Sequence, residues 1–144
     1  MTEVAFHFNV PDRLAYTCRL LRKALGSKAQ VLVVAPSEVL RRLDVLLWTF
    51  SGPDFIPHAK AGDDPLVLAA SPVLLLESSA DAPHQQVLLN LGHEVPAGFE
   101  HFARLIEIVG LDDEDRQQAR ARWKHYANAG LAITRHDLAL KENA

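Results

Sequence analysis

QVLVVA, residues 30–35, is the stretch on which the fold turns. It is a short, near-continuous apolar run, the pattern of a strand covered on both faces rather than one with a face in water. The segments before it fit that reading. RLAYTCRLLRKAL (13–25) puts Leu14, Thr17, Cys18, Leu21 and Leu25 on one side of a helix. Asp12 is placed to cap its start and Gly26 to close it. Before the helix, EVAFHFN (3–9) alternates as a first strand, with Val4, Phe6 and Phe8 to one side. After residue 35, Ser37 and Glu38 open a second helix that runs to about Trp48, with Leu40, Leu43 and Leu47 as its buried stripe. Strands alternating with helices around a doubly covered strand predict an open α/β sheet with helices on both faces and right-handed crossovers.

The remainder is less regular. FSGPDFIPHAKAGDDP (50–65) is dense in Gly and Pro and predicts a loop with a short edge strand at Phe55–Pro57. Leu66–Ala70 and Val73–Glu77 are expected to be strands separated by Ser71-Pro72, and Gln85–Asn90 a further short strand or a helical turn. Phe99, Phe102, Leu105, Ile106 and Val109 recur at helical spacing. A last helix is expected from about Asp112 to Ala129, ending at Gly130, and Leu131–Ala144 is weakly patterned. The whole reads as one α/β domain over residues 1–144, with no internal repeat.

Composition bounds the function. The chain has 144 residues, 49% hydrophobic and 23% charged, enough apolar surface to offset chain entropy and exclude general disorder. A single cysteine excludes an intrachain disulfide framework and a cysteine-based zinc ribbon. The opening MTEVAFHFNVPD does not read as a secretory leader, and no apolar stretch approaches a bilayer-spanning length, so a cytoplasmic protein is expected. A net charge of −3 argues against wrapping bare nucleic acid over a large surface. One local sign change stands out. Asp112, Asp113, Glu114 and Asp115 are followed by Arg116, Arg120, Arg122 and Lys124, with no acid in 116–126.

The sequence offers little catalytic chemistry. FNVPDRL, after the first strand, has no glycine for a phosphate-binding turn, and both GxGxxG and GxxxxGK[ST] are missing, so no nucleotide cofactor is expected. ALGSK (24–28) falls at a helix end. None of the seven histidines forms HExxH or a close pair, so no metal is expected. Cys18 lies on the apolar helix face, where a thiol acts as a small hydrophobe. Asp63-Asp64, between Gly62 and Pro65, reads as a solvated turn. As a Mg²⁺ chelate or an acid–base pair it would support a small α/β hydrolase or nucleotide-binding enzyme instead.

Two features suit binding. Trp48 and Phe55 lie at a helix end and in the Gly/Pro loop, positions compatible with core packing or with partner contact. In the last helix, around QQARARWKHYANAG (117–130), a basic stripe of Arg116, Arg120 and Lys124 runs beside Ala119, Trp123 and Tyr126. That stripe can complement the helix dipole, receive an acidic peptide ending in an apolar side chain and a carboxylate, or stack and pair with single-stranded nucleic acid.

These segments resemble the chi-subunit family of bacterial DNA polymerase III. LDVLLWTFSGPDFIPHAKAGD (43–63) carries Leu43-Asp44, Leu47-Trp48, Phe55-Ile56-Pro57-His58 and Ala61-Gly62, and RARWKHYANAG (120–130) is similar to the family's basic helix. Trp123 stands where the family often has Tyr. The resemblance implies a Rossmann-like domain without a nucleotide loop and a non-enzymatic accessory role in the replicase. It implies two partners: the psi subunit, and the acidic C-terminal tail of the single-stranded-DNA-binding protein, with DNA contacted indirectly. By the same resemblance Trp48 and Phe55 face psi, with a helicase link through that surface. Arg120, Trp123 and Lys124 form the tail pocket, with Val109 as its apolar wall.

Overall fold

Val31 and Val33 point into one apolar core and Leu32 into another, so the strand that carries them is covered on both faces. The computed structural model describes residues 1–49, 56–80 and 82–139. In chain order the elements are β1 (Glu3–Val10), α1 (Arg13–Gly26), β2 (Val31–Val34), α2 (Ser37–Thr49), β3 (His58–Lys60), α3 (Pro65–Ala70), β4 (Val73–Leu76), β5 (Val87–Asn90), β6 (Arg104–Gly110), α4 (Asp113–Asn128) and β7 (Ile133–Asp137). The strands form one seven-stranded sheet in the order β3-β4-β2-β5-β6-β1-β7, and each pairing is parallel. The expected open α/β architecture is therefore present. Cys18, Leu21, Leu40, Leu43 and Leu47 from α1 and α2 fill one face, and Ala119 and Tyr126 from α4 fill the other.

Local signals account for most of the helices. The Asp12 side chain accepts from the Ala15 N–H at 3.1 Å and starts α1. Gly130, at φ 77°, lies just beyond α4 in the left-handed region where glycine costs least. The exit from α1 differs from expectation. Gly26 is the last helical residue, and Lys28, at φ 61°, makes the left-handed turn.

Four further expectations are corrected. Leu66–Ala70 is not a strand but part of α3. Asp64 accepts from the Leu66 N–H at 2.8 Å, and Pro65 takes the first helical turn, where its missing N–H has no cost. The apolar run alone could not separate the two states; the Asp-Pro start decides it. Residues 99–109 are not one helix. Phe99–His101 form a single 3-10 turn and Arg104–Gly110 a strand. Leu105 and Val109 face the α4 side, Ile106 and Ile108 the α1 side, and the glutamate between them hides the period of two. The weakly patterned tail contains β7, a polar edge strand. The edge strand expected at Phe55–Pro57 is found at His58–Lys60, and Phe55 lies outside the described residues.

Candidate functional site

The buried stripe of α4 is Asp115, Ala119, Arg122 and Tyr126, which is polar for most of its length. Such a helix cannot be held by apolar burial alone. Glu107 of β6, fully buried, anchors it. Arg122 Nε donates to Glu107 Oε1 at 3.1 Å, Tyr126 Oη donates to Oε2 at 2.6 Å, and Asn90 Nδ2 reaches the same carboxylate at 3.1 Å. Burial pushes the Glu107 carboxyl upward, and Arg122, Tyr126 and Asn90 oppose that shift. Burial and then Glu107 hold the Tyr126 hydroxyl well above its ordinary range. At the helix start the Gly110 N–H donates to Asp115 Oδ2 at 2.7 Å. These bonds fix the rotation of α4 about its axis.

With the helix so turned, a cavity of about 480 Å³ opens between α4, β1, β6 and β7, lined by Phe6, Phe8, Val109, Ala119 and Trp123 with Arg116, Arg120 and Arg135. Its chemistry is apolar rings beside three guanidinium groups, with no carboxylate in the lining. Phe6 and Trp123 pack with centroids 5.0 Å apart. Arg116 donates to Asn9 Oδ1 at 3.2 Å, and Asn9 Nδ2 donates to Asp137 Oδ1 at 2.8 Å. Among the described residues neither Arg120 nor Lys124 pairs with an acid of this chain.

Of the residues singled out from sequence, Val109, Arg120 and Trp123 meet at this cavity. Lys124 is exposed on the same helix and does not line it. Tyr126, read beside the basic stripe, is sealed in the core against Glu107. Phe6 and Phe8 were legible only as one side of the first strand, and Arg116 only as part of the stripe. Arg135 had no signal, because its strand sits in the unpatterned tail.

A second surface lies on α2. Val45, Leu46 and Trp48 are 63%, 36% and 60% exposed. Asp44 Oδ1 lies 2.8 Å from His58 Nε2, and the Trp48 ring meets the His58 ring edge-on at 5.4 Å.

At the carboxyl ends of the strands, where open α/β sheets commonly bind ligands, Arg13 fills the space beside the first turn. Its Nε donates to the Ile108 carbonyl at 3.1 Å and its Nη2 to the Leu91 carbonyl at 2.9 Å. Cys18 is fully buried, and burial raises its thiol to about 11. Asp63 and Asp64 are engaged in a turn and a helix cap, accepting from the Lys60 and Leu66 N–H groups.

Residues 1–134 match the family model described as DNA polymerase III chi subunit, HolC. The chain belongs to the DNA polymerase III chi-subunit family. The DNA polymerase III subunit chi of Pseudomonas aeruginosa is 35% identical, over 96% of this chain and 98% of that protein. The subunits chi of Escherichia coli K12 and Haemophilus influenzae are 27% and 28% identical, over 81% of this chain and 79% and 81% of theirs. The Asp44–His58 contact ties α2 to β3. Among the described residues no helix is long and apolar enough to cross a membrane.

Proposed function

We propose that this chi-family chain is a non-catalytic adaptor of the DNA polymerase III replicase. One face receives the acidic C-terminal tail of the single-stranded-DNA-binding protein, and another receives the psi subunit. The observation that carries the reading is the cavity under α4, where three arginines surround an aromatic and aliphatic floor with no carboxylate in the lining. An acidic peptide ending in an apolar residue satisfies both halves of that chemistry. Its carboxylates take charge-assisted bonds from guanidinium groups, and its last side chain buries against Phe6, Phe8, Val109 and Trp123. Arg120 contributes from the cavity wall and Lys124 from the adjoining surface.

The exposed Val45, Leu46 and Trp48 of α2 suit the second partner, since contiguous apolar side chains on a surface mark protein contacts. Phe55, which lies outside the described residues, is assigned to the same partner by family resemblance alone. Two separate faces on one rigid sheet allow the clamp loader to be held at coated DNA without any covalent step.

Calorimetry with a short acidic peptide ending in phenylalanine tests the reading. Binding that is weakened by Arg120→Ala supports it. No binding to the intact chain, or tight salt-dependent binding of naked single-stranded DNA in its place, refutes it.

A further inference from the structure

We infer that Arg135, on the edge strand β7, is the residue that reads the free α-carboxylate of the bound peptide end. The inference rests on the adaptor reading of the same cavity and deepens it. The register of β7 against β1 pairs Arg135 with Phe6, and that of β6 pairs Glu107 with Phe6, so the three side chains emerge on the face that α4 covers. The Arg135 guanidinium lies 5.4 Å from the Phe8 ring centroid and 5.7 Å from that of Trp123. It therefore borders the apolar floor on two sides.

Covalent geometry does the rest. In a C-terminal residue the carboxylate carbon is bonded to the same Cα as the side chain. An apolar side chain seated on Phe8 and Trp123 thus carries its carboxylate to the rim of those rings. The cation at that rim is Arg135. The guanidinium is planar, and its forked N–H edge can grip a carboxylate with two parallel bonds. Among the described residues Arg135 makes no ion pair with the chain's own acids; the nearby Asp137 is engaged by Asn9. Arg116 is tied to Asn9, and Arg120 stands on the α4 wall. These two are left for side-chain carboxylates upstream of the peptide's end.

The test is calorimetry on the full chain with a synthetic acidic peptide ending in phenylalanine, and with the same peptide amidated at its C-terminus. Amidation weakens wild-type binding roughly tenfold, the size of one charge-assisted contact. Arg135→Gln weakens the free-acid peptide by a similar factor and leaves the amidated peptide within about twofold of its wild-type affinity, because the two changes remove one interaction. Arg135→Lys restores only part of the loss. Arg120→Gln weakens both peptides and preserves the amidation penalty. Each variant's thermal melt is compared with wild type, and Arg135 and Arg120 are exposed enough for the fold to be retained. If the penalties of amidation and Arg135→Gln multiply, Arg135 acts as a distant charge and the assignment is wrong, while the adaptor reading stands. If neither peptide binds the wild-type chain, the adaptor reading fails and this assignment fails with it.

Discussion

The Tyr126 hydroxyl donates to Glu107 Oε2 at 2.6 Å, and both side chains are completely shielded from solvent. This bond, with the one from Arg122 to the other carboxylate oxygen, ties a polar helix to the centre of a parallel sheet. It is also what turns Arg116, Arg120 and Trp123 toward the cavity. Stability and the geometry of the cavity thus share a single buried group.

Removal of that group leaves a buried guanidinium without its counter-charge. Glu107→Ala is expected to cost about 3–5 kcal/mol, measured as a fall in urea midpoint. A loss below about 1 kcal/mol would show that Arg122 finds water or another acceptor and that the anchor is not needed.

Tyr126→Phe keeps the ring against Phe6 and Phe99 and deletes only the hydroxyl. The expected cost is about 1.5–3 kcal/mol, that of a hydrogen bond to a charged acceptor. Peptide affinity should fall less than stability, since the ring still packs.

On the cavity side the ordering of variants is the test. Arg120→Ala is expected to reduce acidic-peptide affinity roughly tenfold, and Lys124→Ala by less, because Lys124 does not line the cavity. Neither should move the thermal midpoint by more than a degree or two (about 0.5 kcal/mol or less). Equal losses from the two would place the peptide along the outer stripe of α4 instead.

Trp48→Ala removes a ring that is 60% exposed, so the chain should stay folded with a loss of about 1 kcal/mol or less. Co-purification with psi should be lost while acidic-peptide binding is kept. Retention of psi by the Trp48→Ala variant would refute the assignment of the α2 surface.

His84 is buried, neither ring nitrogen has a hydrogen-bond partner among the described residues, and burial lowers its pKa below 6.5. The folded chain therefore binds this proton less readily than the unfolded chain. Its contribution to stability is present above the unfolded pKa of about 6.5 and is lost as pH falls toward the lower folded value. Denaturation midpoints should drop on acidification through this window, and less steeply in His84→Leu. An identical pH profile for that variant would remove His84 as the cause.

Asp12, Gly130 and the apolar run at 30–35 made much of the fold legible, because caps and doubly covered strands are written in adjacent residues. Residues 99–109 misread as helix because Glu107 looks like a solvent-facing residue until Arg122 and Tyr126 are brought to it. Leu66–Ala70 reads as a strand because a short apolar run is ambiguous on its own; the Asp64 cap and Pro65 make it a helix.

By itself the sequence determined the alternation of elements, the missing phosphate-binding turn, and a helix carrying Arg116, Arg120, Trp123 and Lys124. Those depend on neighbours a few positions apart. Only the tertiary structure decided that Arg122 and Tyr126 are anchors, that Lys124 stands beside the cavity rather than in it, and that Phe6, Phe8 and Arg135 complete the walls. The reason is register. Parallel strands far apart in the chain align Phe6 with Glu107 and with Arg135, and no local pattern in any of the three segments encodes that alignment.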